Sequence, residues 1–308
     1  MQRSDGRNWS RAALRRLSAA CAMSAVVSCA HAPAPPLASA DLLSQAMMRE
    51  PIVLLGEVHD NVAQHRLRAQ ALRQMLERGS RPALAFEQFD RDMQPQINRA
   101  RQEPGDTASR VTHLIEVAGA RGWNWELYRP YLALALEYDL PIVAANLSRS
   151  QAMRIARDGA DSVFDAKQRT ALGLDAVAPD LQRAQEHEIE LGHCGRVPPE
   201  ALPALAMAQI ARDAFLAESI RPYFDRGVVL LTGNGHARRD IGVPRHLSRE
   251  EAARAISIGL LEDDERAAEL ARDFDVALRT PVQTRADPCA HLAPLRMGAG
   301  PAESSPRG

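Results

Sequence analysis

Lysine is almost missing from this chain: Lys167 is the single one among 38 basic residues, and the others are arginine. With 39 acidic residues the formal net charge is −1. No global field therefore favours nucleic acid as a partner. Cysteine is scarce, four in all, and none stands in a C-x-x-C or C-x-x-C-H pattern, which excludes covalent c-type haem attachment. The chain has no His-Glu-x-x-His, which removes zincin chemistry, and no Gly-x-Ser-x-Gly elbow, which removes the usual α/β-hydrolase serine. Gly233-Asn-Gly-His236 lacks both the third glycine of a dinucleotide loop and the Lys-Ser/Thr of a P-loop, so nucleotide binding is unsupported. There is no internal repeat of fixed period.

The N-terminus reads as an export signal. Arg3, Arg7, Arg11, Arg15 and Arg16 precede a short apolar core from Leu17 to Val27, which ends at Cys29. Such a core is too short to span a membrane. The ending resembles a bacterial lipobox, with residues 1–28 removed and Cys29 lipidated, by palmitate among other chains. Cleavage without lipid near His31 is the other reading. Ala30 after the cysteine, rather than Asp, favours an outer-membrane lipoprotein facing the periplasm or the cell surface. Residues 29–40 form an Ala/Pro-rich linker, 41–288 the folded domain, and 289–308 a disordered tail. Cys194 and Cys289 are then left to pair or not in an oxidising compartment.

The domain is organised around Pro51-Ile-Val-Leu-Leu-Gly-Glu-Val-His-Asp60. Ile52 to Leu55 is a short buried strand, Gly56 breaks it, and Asp60 or Asn61 caps the helix from Val62 to Arg78. Ala83–Phe86, Pro141–Ala145 and Val228–Leu231 repeat the pattern, and Ala255–Leu261 and Phe274–Leu278 add two later strands. Strands alternating with helices imply an α/β fold, a parallel sheet flanked by helices on both faces. The helices at Arg110–Glu137, Ser148–Ala160, Ala166–Leu172 and Asp180–Leu191 are expected to form a smaller helical subdomain.

Four of these strands end in functional residues: Glu57 with His59, Glu87, Asn146, and Asn234 with His236. In a parallel sheet those ends share one edge, where ligands bind. Glu57, His59, Glu87 and His236 form either a divalent-metal site or an acid–base set. Taken singly, each also fits a structural role as a helix cap or a partner of a backbone carbonyl. Trp123, Trp125, Tyr128 and Tyr131 concentrate a scarce residue class in one stretch, as a face for a flat ligand or as local core. His193 beside Cys194 is a candidate soft-ligand site or a turn next to a disulfide.

The ordered set Leu55-Gly-Glu-Val-His-Asp-Asn61, Ala85-Phe-Glu-Gln88, Trp125 with Tyr128-Arg-Pro130, Pro141-Ile-Val-Ala-Ala-Asn146, Gly192-His-Cys-Gly195, Gln209 with Arg212-Asp213, and Gly233-Asn-Gly-His236 with Gly242-Val-Pro244 resembles the ChaN-like haem-binding uptake family of the Tiki superfamily. The resemblance implies an α/β/α domain that binds haem, with tyrosine ligation and a pair of cofacial haems across a homodimer. It points to Tyr128 and Tyr131 as ligands, His193 as a helper, and Arg129 for the propionates. The superfamily also holds esterase-like hydrolases and metal-dependent peptidases, so an enzymatic use of Glu57, His59, Glu87 and His236 stays open. Three functions follow in order: a haem-binding lipoprotein in haem or iron acquisition, a metal-dependent or acid–base hydrolase, and a structural lipoprotein.

Overall fold

The computed structural model describes residues 34–287 and 289–290. The lipidation site Cys29 and residues 291–308 of the expected tail lie outside them. Six parallel strands run in the order β3-β2-β4-β1-β5-β6: β1 Ile52–Leu55, β2 Ala83–Asp90, β3 Ile142–Asn146, β4 Val228–Leu231, β5 Ala255–Glu262 and β6 Val276–Thr280. The strands ending in Glu57, Glu87, Asn146 and Asn234 are thus four contiguous neighbours.

Residues alternate between the two faces of each strand, as the period of two requires. Val53, Leu55, Leu84, Phe86, Val229 and Leu231 pack under α1 (Ala40–Met47), α2 (Val62–Glu77), α3 (Gln94–Ala100), α4 (Thr107–Ala118) and α5 (Trp125–Glu137). Ile52, Leu54, Ala83, Ala85, Val228 and Leu230 face the opposite way, against Leu216, Ala217 and Ile220 near the end of the longest helix (Leu202–Ile220). The smaller cluster joins that helix to α6 (Arg149–Asp158), to Leu172 and Leu174 just after α7 (Ala166–Ala171), and to α8 (Pro179–Gly192), so the long helix is α9. The expected subdomain therefore shrinks. α4 and α5 belong to the sheet because Val111, Leu114, Leu132 and Ala135 are buried in its main core.

β1 leads through α2 over one face toward β2. β4 leads over the other face, through α10 (Asn234–Ala237), Val243 and α11 (Arg249–Ala252), to β5. Adjacent strands whose connections depart in opposite directions leave a crevice at their carboxyl ends. Gly56-Glu57 and Thr232-Gly233 form its walls.

Several boundaries move. β2 continues past Phe86 to Asp90, and its pairing with β3 shifts register there. α5 starts at Trp125 and carries Pro130 in its interior, at an exposed position. The end of the expected linker is part of the fold: Leu37 bridges to Arg279, whose N–H donates to the Pro36 carbonyl at 2.8 Å. An edge strand with unpaired backbone groups gains a partner this way. The C-terminal segment after β6 returns over the site end of the sheet, where Arg285 pairs with Asp60 at 2.8 Å and Glu262 at 2.7 Å. Among the described residues no helix is long and apolar enough to cross a membrane.

Cys194 and Cys289 form a disulfide across a sequence separation of 95 residues, so the expected tail is anchored at its first residue. Closing so long a loop restricts the unfolded chain, typically by about 2–4 kcal/mol. A Cys194→Ser variant should lose stability of that order in urea denaturation, and reductant should lower the wild-type midpoint while leaving that of the variant unchanged.

Candidate functional site

Gly56 ends β1 by bonding its N–H to the Ile258 carbonyl at 2.8 Å, and the next residue, Glu57, is buried. Its Oε2 pairs with the guanidinium of Arg68, which is fully buried on the inner face of α2. Arg68 also donates to the Leu55 carbonyl at 2.9 Å and lies 5.5 Å from the Tyr131 ring centroid. Glu57 Oε1 accepts from the Tyr128 hydroxyl at 2.6 Å and faces His59 Nδ1 at 3.0 Å. His65 Nε2 lies 2.9 Å from the His59 carbonyl, which fixes the turn from below. Asn61 caps α2, accepting from the Gln64 N–H at 3.0 Å.

A second cluster forms around β4. Glu87 Oε2 accepts from Thr232 Oγ1 and the Gly233 N–H, both at 2.8 Å, while Oε1 faces His236 Nε2 at 3.3 Å and Arg212 Nη2 at 3.7 Å. His236 Nδ1 meets Asp213 Oδ1 at 2.6 Å. Asn146 donates to the Glu87 carbonyl at 2.9 Å and accepts from Arg212 Nε at 3.2 Å. The clusters meet at Gly233, where a Cβ would stand 2.8 Å from His59 Nε2 and 3.7 Å from Glu87 Oε2. Only glycine lets the imidazole approach so closely.

The two imidazoles are driven apart in charge. Burial lowers His236, but the carboxylates of Glu87 and Asp213 outweigh it and push it up to about 10. Glu87 is held well below the usual carboxylate range: burial opposes ionisation, and His236, His59 and Arg212 overcome it. His59 is lowered, first by the water its ring loses on packing and further by His236 and Arg212, against Glu87 and Asp60. At neutral pH His236 is a cation between two anions, and His59 is neutral.

This geometry corrects the metal reading. Glu57 is already matched by Arg68, and both nitrogens of His236 point at carboxylates, so neither residue offers a free donor. Among the described residues no group of three or more His, Cys, Asp and Glu side chains is placed to hold an ion. The tyrosine expectation changes too. Tyr128 and Tyr131 are buried in the core, the first bound to Glu57 and the second donating to the His65 carbonyl at 2.9 Å. Neither phenol oxygen is open to a haem iron, and burial pushes both phenols up and keeps them protonated. His193 Nδ1 meets the Ile189 carbonyl at 2.8 Å at the end of α8, and Arg129 pairs with Glu126 at 2.7 Å on the surface of α5. His193 thus serves the end of its own helix, while Arg129 also donates to Thr112 Oγ1 at 2.9 Å and ties α5 to α4.

Of the aromatic cluster, Tyr128 and Tyr131 are core, and Trp125, partly buried, packs against Tyr128. Trp123 instead packs edge-on against His59, centroids 4.9 Å apart, and borders a cleft of about 600 Å³. Glu87, Asp90, Asn146, Leu147, Met153 and three arginines, Arg121, Arg149 and Arg212, are among its other lining residues. Arg68, Arg121 and Arg149 are the site residues that sequence reasoning missed. Arg68 had a signal: it falls on the buried stripe of α2 with His65, Leu72 and Met75, where a charge needs a buried partner.

Removing one partner of a buried pair leaves the other charge uncompensated, which costs about 3–5 kcal/mol. Arg68→Met should therefore destabilise the fold by that amount in urea denaturation. The raised His236 gives a pH signature. Its contribution is fully present below its ordinary value of 6.5, declines as pH rises, and is lost above about 10. The stability gap between wild type and His236→Gln should narrow across that interval.

A family model described as haem-binding uptake, Tiki superfamily, ChaN matches residues 43–247. Among solved structures, ChaN of Campylobacter jejuni, described as showing cofacial haem binding, is 19% identical with a TM-score of 0.60, covering 77% of this chain and 89% of its own. An erythromycin esterase mutant, EreC in its open conformation, is 14% identical with a TM-score of 0.41, covering 72% of each chain, too loose a likeness to bear on function. No curated protein matches. On the extent of the family match, this chain belongs to the ChaN family of haem-binding uptake proteins in the Tiki superfamily.

Proposed function

We propose that this protein is an exported lipoprotein, anchored to the outer membrane through Cys29, that binds haem in the cleft beside β2 and β3 and serves haem or iron acquisition. One observation carries the placement: a cleft of about 600 Å³ that combines Trp123, Leu147 and Met153 with Arg121, Arg149 and Arg212. That volume falls in the range of small-molecule sites, roughly 300–1,000 Å³. A porphyrin has a flat apolar body and two carboxylates, and both halves of this lining answer it. The indole and the aliphatic walls meet the ring, and the guanidinium groups meet the propionates in bidentate fashion. Met153, half-exposed on α6, supplies a thioether that can approach the iron. A second copy of the chain would cover the open side of the cleft.

Hemin titrated into the mature protein should give a shifted Soret band that saturates at a defined low stoichiometry. Arg149→Ala should raise Kd about tenfold, equivalent to about 1.4 kcal/mol, and Trp123→Ala should weaken binding further. Met153→Leu should alter the spectrum while sparing most of the affinity. Spectra indistinguishable from free hemin at every ratio would remove the reading. Labelling with a palmitate analogue, lost in Cys29→Ser, tests the anchor.

A further inference from the structure

Haem held by the cleft walls leaves the Glu57–His59 pair unused. His59 Nδ1 is 3.0 Å from Glu57 Oε1, and Glu57 is fixed from its other side by Arg68 and Tyr128. A neutral imidazole in this position donates its Nδ1–H to the carboxylate and carries its lone pair on Nε2. The His59 side chain is 43% exposed. Nε2 lies over Gly233, at the mouth of the crevice between β1 and β4, and Trp123, edge-on to the ring, joins it to the lining of the cleft.

The groups around it have fixed roles. Glu87 is pinned by Thr232 and the Gly233 N–H, and His236 is committed to Glu87 and Asp213, so neither is free to carry a proton. Arg212, 27% exposed and oriented by Asn146, presents positive charge to the cleft. Of the local hydroxyls, Thr232 donates to Glu87, and Ser148 and Ser150 bond each other at 2.9 Å, Ser148 Oγ also accepting from the Gln151 N–H at the α6 cap. Cys194 is in the disulfide. The arrangement has a base, a cation for a developing oxyanion and two further arginines, Arg121 and Arg149, for a substrate anion. Among the described residues no hydroxyl is hydrogen-bonded to the His59 ring, so the attacking group is water.

We propose that His59, positioned by Glu57, is the general base of a hydrolytic site for esters whose acyl part carries a second carboxylate. Water attacks the ester carbonyl carbon as Nε2 takes one of its protons. The carbonyl π pair moves to oxygen beside Arg212. Collapse of the tetrahedral intermediate breaks the bond to the leaving alkoxide, which takes the proton from Nε2. The products are an alcohol and a dicarboxylic acid that ionises in water, and no electrons are exchanged with another reagent. The proposal does not rest on haem binding, although the two ligands would compete for Arg121, Arg149 and Arg212.

The test uses the full mature protein with the mono-4-nitrophenyl ester of glutaric acid and, for comparison, 4-nitrophenyl acetate. Turnover of the anionic ester should exceed the buffer rate and that of the acetate by tenfold or more. His59→Gln should lose at least a hundredfold in kcat with its melting temperature held, since Glu57 keeps Arg68 and Tyr128. Arg149→Ala should lower kcat/KM for the anionic ester about tenfold more than for the acetate. If His59→Gln folds poorly, the wild-type pH profile replaces it. The rate should fall on acidification through one ionisation below the usual imidazole value. The groups facing the ring are Glu57, Asp60, His65, Glu87, Arg212 and His236. Rates equal to buffer across both esters, or full activity in a folded His59→Gln, would overturn the proposal. Hemin titrated into the same preparations separates the two readings. Hydrolysis without a Soret shift supports this one alone, and a Soret shift without hydrolysis overturns it alone.

Discussion

The carboxyl group of Glu57 sits fully buried at the end of β1, and the site end of the molecule is arranged to tolerate it. A buried acid costs several kcal/mol unless a partner compensates. Here the partner, Arg68, is fully buried as well. The pair ties the first strand to α2, and the Tyr128 hydroxyl ties both to α5. Three elements of different sequence position are thus locked to one side chain. The remaining lone pairs of Glu57 then determine the tautomer of His59, the outermost member of the chain of contacts. Packing, helix placement and imidazole orientation follow from one buried ion pair.

The second cluster solves a different problem with the same groups. Glu87 and Asp213 are two carboxylates close enough that a neutral ring between them would leave uncompensated repulsion. His236 takes up a proton and becomes their common counter-ion. The nearby His59 feels that positive charge and the one on Arg212, and is kept neutral partly by them. One cation buried for structure thus sets the protonation state of a group left accessible for chemistry. Neighbouring titratable groups whose environments separate their states are the usual mark of divided roles.

The sequence revealed the strands best. β1 and β4 match the apolar runs at Ile52–Leu55 and Val228–Leu231 residue for residue, because a fully buried parallel strand is a continuous β-branched and aliphatic segment closed by Gly or Pro. The convergence of four strand ends followed from parallel topology alone. What the sequence concealed was direction. Tyr128 and Tyr131 lie three residues apart on one helical face and could have pointed outward or inward. The inward choice was made by Glu57 and His65, on elements more than sixty positions away. Arg68 was hidden by its class, since an arginine on an amphipathic helix is normally a solvated flank. Arg121 and Arg149 sit in loop-adjacent positions with no local pattern, and only the fold brings them to one cleft.

The C-terminal return after β6 shows the same logic at the edge of the site. Asp60 immediately precedes the cap of α2, and Glu262 ends β5. Arg285 bridges them, and Asn61 donates to Glu262 at 2.7 Å and to the Pro281 carbonyl at 3.0 Å. The bridge draws Glu262 down to about 2, chiefly through its hydrogen bonds to Arg285. Four residues further on, Cys289 closes the disulfide to the end of α8. A segment with little apolar content cannot hold a course over the surface by burial, so polar and covalent ties do it instead. They fix the residue next to His59 from outside, as the Glu57–Arg68 pair fixes it from within.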